Sequence, residues 1–178
     1  MLFGMETEEN VRKIRARIGF MSHEAFLYDD LTAWENLNFY ADLYSIRKKE
    51  ARIKEMLKMV GLYHRSHDKV RSFSRGMLQR LSLARAVLHD PELIFLDEPY
   101  SGLDIRAQEV LNDLITKLNS KGKTFLIITH DIEKGFGIAK RKGILSNGAI
   151  LLDGEHLDRA DFSEKYNEIL RREAHERS

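Results

Sequence analysis

The sequence has no cysteine, almost no net charge and no long apolar run, and each absence excludes a class of protein. Without cysteine the chain can form neither disulfides nor thiolate metal sites, although its redox compartment stays open. A formal net charge of +1 gives no overall field that favours nucleic acid, so we expect no nucleic-acid partner. No apolar run approaches the ~20 residues of a membrane-spanning helix, and no signal segment opens the chain. We therefore expect a soluble protein, or one held at a membrane by a partner.

The remaining composition is that of a single folded domain. With 178 residues and 43% hydrophobic content the chain can bury a sizeable core, and its 32% charged content indicates a solvated surface. The seven histidines are scattered without the spacing of metal ligands, so we predict no transition-metal site.

The most informative stretch is residues 91–104, which read P-E-L-I-F-L-D-E-P-Y-S-G-L-D. Its apolar run, residues 93–96, has the length of a strand covered on both faces, as in the parallel sheet of an α/β protein. Asp97 and Glu98 follow directly, and Pro99 cannot continue the ladder. Ligands bind at the carboxyl ends of strands in open α/β sheets, which places both acids at such a site.

Two adjacent acids in this position suit two tasks. Asp97 can hold the Mg²⁺ of a nucleotide, usually through water, and Glu98 can orient or deprotonate an attacking water. Acid pairs also occur in ordinary turns after strands, so on the strand alone a plain D-E-P turn remains an alternative.

A second motif, F-S-R-G-M-L-Q-R, occupies residues 73–80 and leads into a helix that we expect to end near His89. Ser74 can cap this helix, and Gly76 lets another group approach the backbone closely. The amides of the first turn form a ready anion site, although an ordinary cap explains the same residues.

Another buried strand is predicted at residues 125–128, followed by Thr129, His130 and Asp131. His130 is thus expected at a strand end like Asp97 and Glu98, one crossover later. A lone histidine is more often structural, but one that shares a sheet edge with two acids is a candidate for chemistry.

Two consecutive amphipathic helices come before these motifs, with no strand between them. Thr32 and Glu35 fit a capping box at the start of the first, and Gly61 suits the end of the second. They predict a small helical subdomain inserted into the α/β core. After the motifs, Asn147 and Gly148 predict the turn of a hairpin, and residues 161–178 a charged helix with Phe162, Tyr166 and Leu170 on one side.

Taken together, these motifs resemble the nucleotide-binding subunits of ABC transporters. The matching pieces are the signature at residues 73–80, the Walker B run at 93–99, the D-loop S-G-L-D at 101–104 and the switch histidine in T-H-D at 129–131. Residues 18–44 resemble the family's Q-loop region, and their details look most like the haem-exporter ATPase of cytochrome c maturation.

The resemblance implies an α/β fold of the P-loop NTPase (ABC ATPase) type, with a parallel sheet core and an inserted α-helical subdomain. We expect 1–178 to form one partial ABC ATPase domain. Within it, about 30–88 would form the helical subdomain and signature helix, 1–29 and 89–160 the α/β core, and 161–178 the C-terminal helix or tail.

The resemblance also implies roles within one chain. Asp97 would hold Mg²⁺, Glu98 would polarise the hydrolytic water, and His130 would sense the γ-phosphate of ATP. His23 stands where the family has the Q-loop glutamine, which contacts Mg²⁺ and water. A histidine is shorter and titrates, so this contact stays open.

Further roles involve partners. ATPase subunits of this family dimerise head to tail with ATP between them, as homodimers or heterodimers. Ser74, Arg75 and Gly76 would meet the γ-phosphate of ATP on the partner, and Asp104 would bridge to that subunit. The helical subdomain would dock on a membrane-spanning permease subunit at the cytoplasmic face of the cell membrane. Arg75 replaces a residue that is often glycine and adds a cation beside the anion site.

One family motif is missing, because no G-x-x-x-x-G-K-S/T sequence occurs anywhere in the chain. That motif supplies amides, a lysine and a hydroxyl to the phosphates and Mg²⁺. Losing three or more charge-assisted hydrogen bonds, at roughly 1.5–3 kcal/mol each, weakens ATP binding by on the order of a thousandfold. We therefore expect an N-terminally truncated domain that is poorly soluble, leaves apolar surface uncovered and does not hydrolyse ATP alone.

Two other classes stay open. An ABC ATPase that acts on DNA or ribosomes usually carries coiled-coil insertions or a second cassette, and this sequence has neither. A non-catalytic regulatory fragment is compatible with the missing motif, as is a partial sequence. The transported substrate cannot be read here, since membrane subunits select it.

Overall fold

The computed structural model describes residues 1–22, 24–155 and 157–176. They divide into two compact units, Met1–Ile128 and Thr129–Ser178. The elements of the first unit are α1 (Val11–Arg15), β1 (Ile18–Met21), α2 (Ala33–Leu43), α3 (Lys49–Met59), α4 (Arg75–Ala86), β2 (Leu93–Asp97), α5 (Ile105–Asn119) and β3 (Thr124–Ile128). The second unit contains α6 (Ile132–Ile138), β4 (Lys142–Ser146), β5 (Ala149–Gly154) and α7 (Arg159–Glu176).

A parallel three-stranded sheet forms the centre of the first unit, in the order β1–β2–β3. Phe95 of β2 pairs with Phe20 of β1 on one side and with Leu126 of β3 on the other. Parallel neighbours cannot be joined by hairpins, and here α5 makes the crossover from β2 to β3. The predicted adjacency of the acid-bearing strand and the strand before Thr129 is confirmed.

The two faces of this sheet differ in burial. Ile94 and Leu96 are fully buried, whereas Leu93 and Phe95 stay partly exposed. The expectation that this strand is covered on both faces is therefore wrong for one face. The expectation of a buried strand at residues 125–128 is also wrong, because β3 lies at the edge and none of its residues is fully buried. Leu126 and Ile128 are 48% and 52% exposed. Successive side chains of a strand point to opposite faces, so along β2 one face of the sheet is buried and the other is partly exposed.

Helix α4 packs on β1 at a point of close backbone approach. A Cβ placed on Gly19 would collide with the carbonyl oxygen of Ala86 and lie 3.1 Å from Cγ of Pro91. Only a residue without a side chain lets the helix lie this near the strand. The close contact helps to fix the helix that begins at the signature motif against the sheet that carries the acids.

The helical layer of α2 and α3 begins and ends as the sequence predicts. The backbone N–H of Glu35 donates to the Thr32 hydroxyl at 3.1 Å, and the Thr32 N–H donates to the Glu35 carboxylate at 2.8 Å. This confirms the capping box. Gly61 adopts φ +69° just after α3, in the left-handed region that terminates helices.

A buried amide ties the preceding loop to α2. The Asn36 side chain accepts from the backbone N–H of Tyr28 at 2.8 Å and donates to the carbonyls of Tyr28 and Thr32, both at 3.0 Å. Asn36 is fully buried, so these bonds satisfy groups that water cannot reach. Its side chain thereby fixes the loop at Tyr28 against the start of α2.

The second unit is a hairpin packed on α7. Asn147 and Gly148 have φ +48° and +78°, as a type I′ turn requires, so the predicted hairpin is confirmed. Its core joins Ile144, Phe162 and Ile169. Of the three residues predicted on one side of α7, Phe162 and Tyr166 pack in this core, whereas Leu170 is 45% exposed. Its neighbour Ile169 packs against the hairpin instead.

Within the residues that the structure describes, no helix is long and apolar enough to cross a bilayer. The same residues contain no group of three or more histidine or carboxylate side chains placed to hold a metal ion.

Candidate functional site

The two acids lie at the carboxyl end of the central strand. Asp97 is the last residue of β2 and pairs with Ile128 of β3. The next backbone N–H, from Glu98, donates to the Ile128 carbonyl at 2.9 Å. Both acidic residues are partly exposed, so their carboxylates sit at the rim of the sheet on a hydrogen-bonded support.

Glu98 has an unusual backbone conformation. Its φ is +48°, in the left-handed region that residues other than glycine rarely adopt. Such strain costs on the order of 1–3 kcal/mol and collects at functional sites. It turns the chain out of the strand just after Asp97. Nothing in the sequence besides Pro99 signals this turn.

The chain then forms a compact turn, residues 98–104, which we call the acid turn. The N–H of Ser101 donates to the Glu98 carbonyl at 3.1 Å, and the N–H of Leu103 to the Tyr100 carbonyl at 3.2 Å. Asp104 ends the turn and caps α5, accepting from the Ala107 N–H at 2.8 Å. The Asp104 carboxylate thus has a structural task in its own chain, and its bridge to a partner stays a prediction.

The signature turn, residues 73–76, sets the start of α4. The Ser74 hydroxyl accepts from the Met77 N–H at 3.4 Å, which confirms the predicted cap. Ser74 is exposed, so the positive end of this twelve-residue helix faces solvent. The arrangement suits an anion that approaches from outside the chain.

The structure brings the signature turn and the acid turn together. The guanidinium of Arg75 lies so close to Gly102 that a Cβ on the glycine would overlap it. A Cβ on Gly76 would lie 3.0 Å from Cβ of Ala107, in the first turn of α5. Gly102 itself has φ +66°, a conformation that favours glycine. Four of the predicted positions, Ser74 to Gly76 and Asp104, therefore belong to one cluster.

Sequence reasoning missed two residues at this cluster. Arg80 donates through Nη1 to the Val60 carbonyl at 2.7 Å and through Nε to the Gly76 carbonyl at 3.3 Å. Burial lowers the pKa of its guanidinium. Tyr100 is buried in the acid turn, its hydroxyl has no hydrogen-bond partner among the described residues, and burial raises its pKa. Neither position belongs to an apolar period, so only its place inside a motif could have marked it.

The last two predicted residues are His130 and His23. His130 belongs to the second unit, where it is exposed and the Asp131 N–H donates to the Thr129 hydroxyl at 3.1 Å. Its predicted convergence with Asp97 and Glu98 stays a prediction. His23 lies outside the described residues.

Comparison with known proteins agrees with the motifs and their placement. The sequence profile described as "ABC transporter" matches residues 3–101, more than half of the chain. The chain belongs to the ABC transporter family. The resemblance inferred from the motifs is thereby confirmed, and the sheet and helices agree with its P-loop NTPase-type fold. The narrower likeness to the haem-exporter ATPase stays a prediction.

Several curated ABC transporter proteins are similar over most of the chain. The ATP-binding protein NatA of Bacillus subtilis is 33% identical over 172 residues, covering 94% of this chain and 70% of NatA. An uncharacterized ATP-binding protein of Synechocystis is 37% identical, covering 90% of this chain and 46% of that protein. The bacitracin transport protein BcrA of Bacillus licheniformis is 39% identical, covering 84% and 49%. The chain thus spans about half the length of most of these relatives.

Intact ATPase subunits of this family bind nucleotide. The donor set also fits Mg²⁺, which takes one or two carboxylates and completes its shell with water and nucleotide phosphates. Asp97 offers one such carboxylate at the partly exposed rim of the sheet.

Proposed function

We propose that the chain is part of an ATP-binding and ATP-hydrolysing subunit of an ABC transporter, which drives transport by closure of an ATPase dimer. The observation that carries the proposal is the single cluster formed by the capped signature turn and the acid turn, built around the Arg75–Gly102 contact. One element offers a helix N-terminus to an anion, and the other begins at Glu98, directly after Asp97.

In this proposal the acids work on the chain's own side of a composite site. Asp97 holds Mg²⁺, and Glu98 accepts a proton from the attacking water or orients it. When bound, the ion neutralises the charge that develops on the phosphates. His130 donates to the γ-phosphate, and His23 takes the place of the glutamine that contacts the ion and the water.

The signature turn works on the partner's side. Ser74 and Gly76 present a hydroxyl and backbone N–H groups to the γ-phosphate of ATP held by the partner subunit, with Arg75 as an adjacent cation. Asp104 reaches across to the same subunit. The support for this assignment is the exposed Ser74 at the positive end of α4.

The helical layer is the proposed docking surface for a membrane-spanning permease. Aromatic and apolar side chains are exposed around α2, notably Phe26, Tyr28, Phe39 and Leu43, of which Leu43 is 66% exposed. Such clusters of exposed apolar residues mark interaction surfaces. Docking there places the subunit at the cytoplasmic face of the membrane, as a peripheral component.

The test uses trans-activation. The 178-residue chain is mixed with an intact ABC ATP-binding subunit such as NatA of Bacillus subtilis, and ATP hydrolysis is measured against each protein alone. The proposal expects stimulation that Ser74→Ala reduces at least tenfold, while Ser72→Ala, outside the signature helix, leaves it within twofold. If Ser74→Ala leaves the stimulation unchanged, or if the mixture shows no stimulation, the assignment of a composite ATP site is overturned.

A further inference from the structure

Two arginines of the signature motif, Arg75 and Arg80, each join the signature turn to a different neighbouring segment. On one side Arg80 joins it to the helical layer, because its guanidinium donates to the Gly76 carbonyl and to the Val60 carbonyl. Val60 is the C-cap of α3, so the cation also meets the negative end of that helix. The half-turn after it, at Gly61, leaves room for the guanidinium, since a Cβ there would lie 3.2 Å from Nη1 of Arg80.

On the other side Arg75 joins the signature turn to the acid turn. Its guanidinium fills the space in which a side chain at position 102 would lie. Gly102 sits between the two hydrogen bonds that close the acid turn, from Ser101 to Glu98 and from Leu103 to Tyr100. The Arg75 guanidinium therefore contacts the turn whose backbone continues from Glu98.

We propose that Arg75 and Arg80 are positioning residues that fix the signature turn between α3 and the acid turn, so that Ser74 and Glu98 of one chain move as one body. This inference rests on the proposed function. In it, Ser74 meets the partner's ATP while Glu98 serves the chain's own ATP. The Arg75–Gly102 contact thus links the two composite sites within one subunit.

The division of labour follows from the contacts. Arg75 acts on the acid turn, and its planar guanidinium covers Gly102 in a way that the compact ammonium of lysine does not. Arg80 acts on the end of α3 and has no contact with the acid turn among those described for it. Removing each arginine should therefore loosen a different segment.

The first experiment needs no nucleotide. Amide hydrogen exchange of the 178-residue chain is measured by mass spectrometry for wild type, Arg75→Ala, Arg80→Ala and the control Arg106→Ala, an exposed arginine two residues beyond the acid turn. Arg75→Ala is expected to speed exchange in residues 98–104 at least fivefold and to leave residues 60–62 unchanged. Arg80→Ala is expected to do the reverse, and Arg106→Ala neither. Wild-type exchange of residues 98–104 in Arg75→Ala would overturn the proposal.

The second experiment measures trans-activation kinetics in the mixture with the intact subunit. Arg75→Lys keeps the cation beside the phosphate but loses the planar guanidinium at Gly102, so we expect it to lower kcat about tenfold with KM for ATP within twofold. Arg75→Ala, which also removes the cation, should lower kcat at least as much. A tenfold rise in KM of Arg75→Lys with unchanged kcat would overturn the positioning role. If Ser74→Ala abolishes stimulation while Arg75→Ala matches wild type, the inference fails and the function stands. If no mixture is stimulated, the function fails and the exchange data alone decide the inference.

Discussion

The backbone N–H of Glu98 donates to the carbonyl of Ile128, 2.9 Å away, and so ties the acid turn to the end of the neighbouring strand. This bond continues the β2–β3 ladder one residue beyond the last strand pair, Asp97 and Ile128. It holds Glu98 in its left-handed conformation at the point where the chain leaves the sheet. The backbone that carries the carboxylate proposed for hydrolysis is therefore held in place by the neighbouring strand.

The first prediction concerns that carboxylate. Glu98→Gln keeps the size and the backbone bond but cannot accept a proton. Because Glu98 serves the chain's own ATP and Ser74 the partner's, we expect Glu98→Gln to leave the Ser74-dependent stimulation of the intact subunit within threefold, as Glu109→Gln, an exposed acid on α5, should also do. A loss of tenfold or more in Glu98→Gln alone would contradict this division and place Glu98 at the partner's ATP.

A second prediction separates the two roles of Asp104. Because the carboxylate caps α5 through Ala107, Asp104→Ala should lower the free energy of unfolding by about 1 kcal/mol, whereas Asp104→Asn keeps a capping oxygen and most of the stability. If the charge also bridges to a partner, Asp104→Asn should still lose trans-activation. Urea unfolding and ATPase assays measure the two effects. Wild-type hydrolysis by Asp104→Asn would exclude the bridge and leave capping as the role of Asp104. Asp113→Ala, on the same helix, is the control for loss of an exposed acid.

The order of elements could be predicted because each carries a local signal. Some features depend only on residues a few positions apart: the cap at Thr32, the helix end at Gly61 and the turn at Asn147. The structure confirms all three. The adjacency of β2 and β3 followed from the single helical crossover between them. Helix ends, turns and strand order could therefore be predicted from this sequence.

What could not be predicted depends on contacts between distant segments. The left-handed backbone of Glu98, the Arg75–Gly102 contact and the hydrogen bonds of Arg80 join residues whose side chains meet only after the sheet and helices have packed. Helix α6 was missed as well, since its sequence I-E-K-G-F-G-I contains two glycines that disfavour a helix. The partly buried Phe136 in that helix, packed against Phe162, supplies the tertiary contact that overrides the propensity.

A third prediction tests the packing of the signature helix on the sheet. Gly19→Ala places a methyl group against the Ala86 carbonyl, so α4 must shift, which costs about 1–3 kcal/mol of unfolding free energy. The urea midpoint of the 178-residue chain measures this. Gly137→Ala is the control, because nothing lies within 4 Å of a Cβ there. In a helix that change should be neutral or stabilising by up to about 1 kcal/mol. Equal midpoints for Gly19→Ala and wild type would contradict the close approach.

The last prediction concerns a histidine that joins the sheet to the helical layer. His89 donates from Nε2 to the Ile18 carbonyl at 2.9 Å, and its ring stacks on Tyr44 with centroids 3.9 Å apart. The other ring nitrogen, Nδ1, is buried and has no hydrogen-bond partner in the part of the chain that the structure describes. Burial is the main cause that lowers the pKa of His89 from its ordinary value of 6.5. The cations Arg52 and Arg85 act in the same direction, whereas the bond to Ile18 and the carboxylate of Asp90 oppose it.

The sign of the pH effect follows from this depressed pKa. Below pH 6.5 the unfolded chain binds a proton at His89 that the folded chain resists, so stability is full above that pH and falls as the pH drops from about 7 to 5. His89→Phe keeps a ring against Tyr44 but cannot titrate. We expect it to be less stable than wild type at pH 8, for loss of the bond to Ile18, and to show a flatter dependence down to pH 5. Urea midpoints at pH 8, 7, 6 and 5 measure both, with exposed His64→Gln as the control. A wild-type slope in His89→Phe would assign the acid sensitivity to other groups.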